Sequence, residues 1–527
     1  MSEVFLFSPI VTIMKRNSIC LGLLLLTGLA YGQNPETYAD EAFRSSNISL
    51  TGTARFRGIG GNHTALGGDA SSIFGNPAGL GFYNRSELSI SPSFNLLNAN
   101  ASFLNTSQTL ASTKASVGNL SVVLAGNSQN TNRRWRRTGL GLSYSQQINF
   151  GNEYAFGGRN TRTSIVDSYI EAADRRNVTG GQLDQDYNVN DEQSSTIEGA
   201  AYQFFLINGT ERPNGESGPP YFRFDRNRPV DQSNSFTSSG AASQWSIGYA
   251  GNYDDKLYIG VSGSLTRLRY RSDNVFSEQV VSGTVFNGYR QQDELSISGS
   301  GFNAAIGLIY KLNPDIQVGA SLTSPTWTRV SETFTQRLTV DPRDPNLPIT
   351  RNEIDVVPNQ FDYRITSPLR ASGGATYFLN KGRLGFITAS ADYVGYPGMR
   401  VSTGIFNAQD NQAFREDVRN VVQNTFRSVV NLRAGAEIRA NLLRIRGGIA
   451  YLPDPFLSQQ DDIDRTRLIV TGGLGVRNER FFLDASGAFN TFKSAFTPYT
   501  LESTRDFPSA RIDNRLVNIT VSAGVFF

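Results

Sequence analysis

The chain has very few of the residues that build metal centres and disulfides. Its 527 residues include one cysteine, Cys20, and one histidine, His63. One cysteine cannot form an internal disulfide, and His/Cys metal centres need several such ligands. A Ser-His-Asp or Cys-His catalytic arrangement would have to use His63. We therefore expect no metal site, no cofactor and no catalytic residue, and interpret the chain as a protein that is not an enzyme.

Charge is also scarce. Charged residues make up 18% of the chain, the net charge is +3, and only six residues are lysine. The 43 arginines are interspersed with Asp and Glu. Proteins that bind nucleic acids typically carry a dense basic stripe, so we expect no nucleic-acid partner. The aromatic content of 11% argues against disorder.

Residues 1–32 have the composition of a secretory signal peptide. The three parts are a basic start, a short apolar run and a small-residue exit: Lys15 and Arg16, residues 19–26, and Gly28, Ala30 and Gly32. The apolar run is shorter than the ~20 residues that span a bilayer as a helix. We predict export with cleavage before Gln33, and Met14 as the true start. A retained anchor helix is the alternative.

No later stretch approaches the ~18 consecutive apolar residues of a transmembrane helix. Short segments instead alternate apolar residues with small or polar ones. The last segment shows this best, with apolar residues at every second position: Val517, Ile519, Val521, Ala523, Val525 and Phe527. Period-two alternation predicts strands with one apolar face, and the lengths suit transmembrane strands of ~9–11 residues.

The connections between these segments alternate between short and long. The predicted long loops are 157–240, 270–294, 331–360, 396–428, 453–466 and 492–514. Outer-membrane barrels have short periplasmic turns and long extracellular loops. Eleven strands follow from Trp245, and three more are predicted at 86–96, 118–126 and 138–150. The fold prediction is thus an all-β, transmembrane antiparallel barrel of about fourteen strands over 86–527. A small inserted domain is the alternative for 157–240.

Two further segments differ in residue pattern from the predicted strands. Residues 33–85 are rich in Gly and Ala and include His63, for which a structural role is favoured over a pH switch. A fourteen-strand barrel has a lumen too wide for wall side chains to fill, so we predict that this segment is a hatch that plugs it. Residues 410–428 have helical spacing of apolar residues, which predicts a lid helix or a helix packed over the mouth.

The hatch carries a motif. Residues 65–80 resemble the N-terminal hatch of the FadL-type transporters of long-chain fatty acids and toluene, in which an Asp, a small-residue stretch and Asn-Pro-Ala precede the first strand. The matching positions here are Asp69, Asn76, Pro77 and Ala78. The terminal Phe527 resembles the aromatic C-terminus that outer-membrane proteins present to the barrel-assembly machinery.

The resemblance implies passive transport across a cell outer membrane. The expected partners are a hydrophobic small molecule such as a long-chain fatty acid, outer-membrane lipid, and the assembly machinery during biogenesis. The ligand would be captured in an apolar pocket and released by hatch movement. Candidate ligand contacts in the hatch are Ile73, Phe74, Leu80 and Phe82, with packing against the wall as the alternative for each. The alternative function is a partner or attachment component of a protein secretion system.

Overall fold

The computed structural model describes residues 34–47, 50–127, 134–213, 215–457, 463–503 and 507–527. The predicted signal peptide, residues 1–32, lies outside the described residues. Among the described residues, no helix is both long and apolar enough to cross a membrane.

Fourteen antiparallel strands form one sheet, and three of them are continued by a second segment after a break. In chain order they are β1 (Glu87–Phe103), β2 (Thr106–Asn127), β3 (Trp135–Asn149, continued by Asn152–Asn160), β4 (Val230–Tyr253), β5 (Leu257–Val280), β6 (Phe286–Lys311), β7 (Ile316–Thr323, continued by Trp327–Pro342), β8 (Glu353–Thr366 and Arg370–Leu379), β9 (Gly385–Val394, followed by the short Arg400–Thr403), β10 (Val429–Ala440), β11 (Leu443–Leu452), β12 (Arg467–Arg477), β13 (Phe481–Phe496) and β14 (Ala510–Phe526). The first strand pairs with the last, from Glu87 opposite Phe526 to Ser102 opposite Arg511. The sheet is therefore a closed barrel, and the fourteen-strand prediction is confirmed.

The barrel is apolar outside and polar inside. On β14, Val525 and Ile519 point outward and are 50% and 41% exposed, whereas Thr520 and Ser522 point inward and are fully buried. Large exposed apolar side chains recur on the outer face of the other strands, among them Ile247, Leu474 and Leu483. This distribution matches a barrel whose outer surface contacts hydrocarbon.

Several strands extend further than the alternation predicted. β5 runs to Val280 and β6 begins at Phe286, so the predicted loop 270–294 is corrected to residues 281–285. Most of the predicted loop 331–360 also lies in strands, with only residues 343–352 between β7 and β8. The outward face of these strand ends is polar, because they extend beyond the apolar zone, while inward residues such as Phe276 and Leu338 pack on the inserted segment. They therefore lack the lipid-facing apolar residues that would identify them.

The predicted loop 157–240 holds more structure than a loop. β3 ends at Asn160 and β4 begins at Val230. Between them lie α3 (Ile165–Arg176), α4 (Gly180–Asp186), α5 (Ile197–Gln203), the two-residue strands Tyr187–Asn188 and Gln193–Ser194, and a hairpin of Asn208–Glu211 and Ser217–Phe222. A buried apolar cluster joins these elements to the barrel mouth. The alternative of a small inserted domain therefore describes this segment better.

The remaining predicted loops are shorter or partly helical. Segment 396–428 contains a 3-10 turn, Tyr396–Gly398, and α6 (Ala408–Thr425), which confirms the helical spacing of that segment. Strands extend into the predicted loop 492–514, since β13 ends at Phe496 and β14 begins at Ala510. Residues 453–466 connect β11 and β12, and the structure describes 453–457 and 463–466 of them.

The N-terminal segment lies inside the barrel. It comprises α1 (Pro35–Ser46), α2 (Ala54–Gly58) and two 3-10 helices, Ala70–Ile73 and Pro77–Phe82. Each begins at a residue whose side chain caps the first turn: Asn34, Thr53, Asp69 and Asn76. α2 packs on β11–β14, and the second 3-10 helix packs on β3–β6. The segment therefore contacts opposite sides of the lumen, as a plug does; we call described residues 34–85 the hatch.

Glycines in the wall let the hatch backbone approach closely. A Cβ on Gly448 of β11 would lie 2.3 Å from the amide nitrogen of Gly60, and a Cβ on Gly307 of β6 would lie 1.8 Å from Oδ1 of Asn76. No real side chain fits at such distances, so at these positions only glycine allows the contact.

We predict that Gly448→Ala loosens the hatch. The added methyl must displace hatch backbone, at a cost of about 1–3 kcal/mol. Urea unfolding of the purified barrel and proteolysis of the hatch would measure this. Gly447→Ala is the matched control, because a Cβ on Gly447 meets no atom within 4 Å. Equal stability of the two variants would contradict the close-packing account.

Candidate binding site

The hatch motif anchors the plug to the wall. Nδ2 of Asn76 donates to the carbonyl oxygens of Thr64 at 2.6 Å, Leu308 at 3.3 Å and Ala320 at 3.2 Å. Its Oδ1 accepts from the Ala78 amide at 3.1 Å. Pro77 occupies the first helical position, where its missing N–H costs nothing. Asn76 therefore joins two parts of the hatch to β6 and β7.

Asp69 holds the hatch together internally. Its carboxylate accepts from the Ser71 amide at 2.9 Å and from the Thr53 hydroxyl at 2.9 Å. Thr53 in turn caps α2, so one carboxylate fixes the starts of two helices. Asp69 also lies 4.0 Å from the Arg55 guanidinium.

A buried ionic network connects the hatch to the last strands. Arg55 of α2 lies 3.6 Å from Glu437 of β10. The same carboxylate accepts from Arg446 and Arg439 at 2.8 Å each, and Arg446 also binds Asp484 at 2.5 Å. Side chains of Glu437 and Arg446 are only 2–3% exposed. Because each charge has partners, the network links the plug to β10, β11 and β13 without leaving a buried charge unpaired.

The four candidate ligand contacts of the hatch lie in different surroundings. Ile73 and Leu80 are fully buried and pack against the wall where β3 has Gly141. Phe82 stacks on Tyr258 of β5 with ring centroids 3.8 Å apart. Phe74 borders a cavity. Their role in ligand binding stays a prediction.

The wall has a breach between β2 and β3. The two strands pair from Asn119 opposite Ser145 down to Asn127 opposite Arg137. Above that level the described pairs of β2 residues 106–118 are with β1 alone, whereas β3 follows β4 throughout. The nine paired residues are about enough to cross a hydrocarbon core, for which strands of ~9–11 residues suffice. The breach therefore begins near the outer boundary of the hydrocarbon.

The continued segment of β3 bends into the mouth. Its Tyr154 and Phe156 are buried against Ala99 and Phe103 on the inner face of β1. Phe103 and Phe156 have ring centroids 4.6 Å apart. With this inward packing the ladder between β2 and β3 stops, although the continued segment still lies beside β2, where the Thr106 hydroxyl donates to the Gly157 carbonyl.

A cavity of about 460 Å³, which we call the lateral cavity, lies beside this breach. Residues 146–152 of β3 form one of its walls. Its large apolar side chains come from the hatch and seven strands: Phe43, Leu50, Leu97, Ile148, Phe150, Tyr154, Phe236, Tyr270, Ile469, Phe492, Ile512 and Leu516. Ser, Asn, Gln and Arg side chains complete the lining, so the cavity is amphipathic. Its apolar and aromatic surface suits a hydrophobic ligand, and its polar groups can fix the orientation of that ligand.

Three arginines line the lateral cavity, and among the described residues no carboxylate does. The Arg467 guanidinium lies over the Phe492 ring at 4.5 Å from the centroid. Arg44 lies 3.8 Å from the centroid of Tyr270 and pairs with Glu41. Arg57 donates to Asn518 at 2.7 Å, and burial lowers the pKa of its guanidinium to about 10. Arg44 has an acidic partner, whereas Arg57 and Arg467 are positioned to attract an anionic group.

A second cavity of about 170 Å³, the central cavity, lies above the middle of the hatch. Its lining is mainly Ser, Thr, Asn and Gln, with the ion pair of Arg433 and Asp392 at 2.7 Å. His63 borders it, and burial lowers the pKa of this imidazole, which keeps it neutral at neutral pH. This neutral state fits a structural role better than a pH switch.

Sequence reasoning did not identify the lateral cavity. Its lining residues come from α1 and from strands far apart in the chain, and each alone is an ordinary inward-facing residue. No local spacing marks them, because the site forms only where the bent β3 and the hatch meet. Among the described residues, no group of His, Cys, Asp and Glu could hold a metal ion.

The sheet is closed, apolar outside and polar inside, filled by the hatch, and interrupted between β2 and β3. These features define the class as a plugged transmembrane β-barrel with a side opening. No protein-family model and no curated protein matches the sequence. Solved structures do match the fold. The toluene transporter TodX of P. putida is 14% identical, with 91% of this chain and 99% of that chain covered and a TM-score of 0.53. A Pseudomonas aeruginosa FadL homologue is 11% identical, with 91% and 99% covered and a TM-score of 0.50. The resemblance to FadL-type transporters is thereby confirmed at the level of the fold.

We predict that Glu437→Gln destabilises the protein strongly. Removing this charge leaves Arg55, Arg439 and Arg446 competing for too few buried acceptors, at a cost of about 3–5 kcal/mol. Urea unfolding measures the loss. Glu479→Gln is the control: Glu479 lies 4.0 Å from Arg85 but is 89% exposed, so about 1 kcal/mol or less is expected. Similar losses in both variants would rule out the buried network as the main anchor.

Proposed function

We propose that the protein carries hydrophobic small molecules passively across an outer membrane. The single observation that supports this most directly is the lateral cavity, whose aromatic lining ends beside the breach in the barrel wall. The fold likeness to a toluene transporter and a FadL homologue agrees with it. No energy source is needed, because the ligand moves down its own gradient.

The lateral cavity provides the binding energy. A hydrophobic ligand gains about 25 cal/mol for each Å² of apolar surface that it removes from water. Twelve apolar or aromatic side chains line the cavity. A long alkyl chain therefore binds there more favourably than in the polar layer outside the hydrocarbon.

The breach provides the exit. The hatch closes the straight path down the lumen through Asn76 and the Arg55–Glu437 contact. A ligand that leaves sideways between β2 and β3 enters lipid near the outer hydrocarbon boundary and never crosses water. The lateral route therefore needs no full opening of the plug.

The ligand class we favour is an anionic amphiphile such as a long-chain fatty acid. An apolar lining suits the chain, and Arg57 and Arg467 suit a carboxylate. A neutral hydrocarbon would leave both guanidinium groups without an anionic partner. Of the four hatch positions predicted from sequence, none lines the lateral cavity, and Phe74 borders the central cavity instead.

Hatch movement would involve α1. Its Phe43 lines the lateral cavity and also stacks on Phe426 beside α6, with ring centroids 4.9 Å apart. Tyr38 of the same helix contacts Phe414 of α6 at 5.3 Å. A ligand that displaces Phe43 would therefore shift the packing between α1 and α6 at the mouth.

We predict that a disulfide across the breach blocks transport. A Cβ on Gly151 would lie 3.8 Å from Cβ of Lys114, close to the spacing of about 3.8 Å that disulfides prefer. The variant K114C/G151C should therefore oxidise readily. Uptake of labelled long-chain fatty acid should fall towards that of cells without the protein, and return after reduction.

The control for this variant is S102C/S107C. These serines face each other across the β1–β2 hairpin, with hydroxyls 2.9 Å apart, and a disulfide there does not span the breach. Its uptake should not depend on oxidation. Normal uptake by oxidised K114C/G151C would show that the ligand leaves by another path.

We predict that Arg467→Met separates anionic from neutral ligands. Methionine keeps an apolar stem but removes the charge, so binding of a fatty carboxylate should weaken about 10- to 100-fold. Its methyl ester should bind as before. Calorimetry in detergent measures both. Lys493→Met, on the opposite face of β13 next to Phe492, is the control. An equal effect on acid and ester would overturn the anionic ligand class.

A further inference from the structure

A row of arginines crosses the outer face of the barrel. Arg267 of β5 lies opposite Ser300 of β6, which lies opposite Arg329 of β7, and Arg329 lies opposite Arg364 of β8. Ser402, beyond β8, continues the row. All three arginines point outward and are exposed. Adjacent strands are about 4.8 Å apart, so the row places three guanidinium groups within about 15 Å.

Two more arginines extend this row away from the membrane. Arg269 and Arg271 follow Arg267 at every second position of β5, on the same outer face, and both are exposed. We call these five residues the arginine patch. Three acidic residues border the patch: Asp362, opposite Ser331, whose hydroxyl donates to it at 2.5 Å, and Asp273, which follows Arg271 on the same face and lies opposite Glu294. The patch therefore has a clear excess of positive charge.

The patch lies directly above the apolar belt. The pairs one step nearer to the periplasmic turns, on the same face, are Leu265 opposite Phe302, and Phe302 opposite Trp327. The Phe302 and Trp327 rings contact each other with centroids 5.1 Å apart. Aromatic girdles mark the interface between hydrocarbon and headgroups. The arginines consequently lie at the level of lipid headgroups.

The arrangement is electrostatically unfavourable without an anion. Arg329 and Arg364 face each other directly across β7 and β8, and like charges in that position destabilise a sheet. Among the described contacts, none of the five arginines has an ion-pair or hydrogen-bond partner within the protein. An anion placed between the two guanidinium groups would convert repulsion into charge-assisted hydrogen bonds.

The surface is also concave at this place. A groove of about 880 Å³ runs across β5–β8, and its lining includes Arg267, Arg269, Arg329 and Arg364 together with outward serines and Asp362. Thr403, Gly404 and Ile405 form its far rim. Serine hydroxyls add hydrogen-bond donors between the arginines. The groove thus combines charge, donors and room for a headgroup.

The opposite side of the barrel lacks this excess. There, Lys493 of β13 lies opposite Asp513 of β14, and Arg515 is two residues further along the same strand face. Positive and negative residues alternate, so the field of each is partly cancelled. The arginine patch is therefore a local feature rather than a general property of the rim.

We propose that the arginine patch binds the phosphorylated headgroup of an outer-leaflet lipid, with the acyl chains lying on the belt of Leu265, Phe302 and Trp327. This rests on the outer-membrane location in the proposed function but does not depend on the transported ligand. Phosphate is the anion that fits, because it accepts paired hydrogen bonds from arginine. The lipid is held against the outer wall by Arg329 and Arg364, which line neither cavity, whereas Arg267 also borders the central cavity.

The test is a lipid titration of the full chain in detergent micelles, followed by native mass spectrometry. The probe is bisphosphorylated lipid A. The variant is R329S/R364S, because serine already occupies neighbouring outward positions. With a factor of about five for each basic residue near an anionic lipid surface, affinity should fall about 30-fold. K493S/R515S removes the same charge elsewhere and should bind as the parent does.

Two further arms separate the possible sources of the anion. Lipid A without its phosphates should bind weakly, and inorganic phosphate at equal concentration should not displace lipid A. Displacement by inorganic phosphate would mean a free-anion site and would overturn the lipid assignment. Unchanged affinity of R329S/R364S, or an equal loss in K493S/R515S, would also overturn it. If R329S/R364S fails to fold, R329Q and R364Q singly provide the same comparison.

The result is independent of transport. Bound lipid is counted directly, and fatty-acid uptake by R329S/R364S should equal that of the parent. If the protein transports no fatty acid, the titration alone still decides whether the arginine patch binds lipid.

Discussion

The structure depends on the requirement that backbone hydrogen bonds be satisfied within hydrocarbon. Lipid offers no partner for a free N–H or C=O, so a sheet that crosses a membrane must close on itself. Pairing of β1 with β14 meets this requirement. Closure at fourteen strands in turn creates a wide lumen, and the hatch fills it. The inverted polarity of the wall follows as well, since the outer face contacts lipid and the inner face contacts the polar backbone and ionic groups of the hatch.

The same requirement explains where the wall can open. β2 and β3 keep their ladder over the nine residues from Asn119 to Asn127, and the ladder stops only beyond them. Beyond that level water and polar headgroups can reach the free edge of β2. The inward bend of β3 has two effects: it interrupts the ladder with β2, and it forms one wall of the lateral cavity. Tyr154 takes part in both, since it packs in the mouth and lines the cavity.

Alternation was a reliable guide only where one face of a strand contacts lipid. It predicted the last strand from Val517 to Phe527, and it predicted the short turns. It did not predict the outer part of β5 beyond Tyr270 or the start of β6, where the outward face is polar and the inward face packs on the inserted segment through Phe276 and Phe286. The segment between β3 and β4 was predicted mainly as a loop, with an inserted domain only as the alternative. Its helices are short and share one small core, so no long periodic pattern marks them in the sequence. The Asn-Pro-Ala motif pointed to a hatch, but not to the carbonyl oxygens of β6 and β7 that Asn76 binds.

The sequence by itself determined the class of structure: period-two alternation, a strand count of fourteen, and a Gly-rich segment suited to a plug. These are local properties, because each strand carries its own pattern of outward and inward residues. Tertiary structure alone decided the lateral cavity, the ionic anchor of Arg55 and the arginine patch. Each of these joins residues from strands that are distant in the chain, and only the register of the closed sheet brings them side by side.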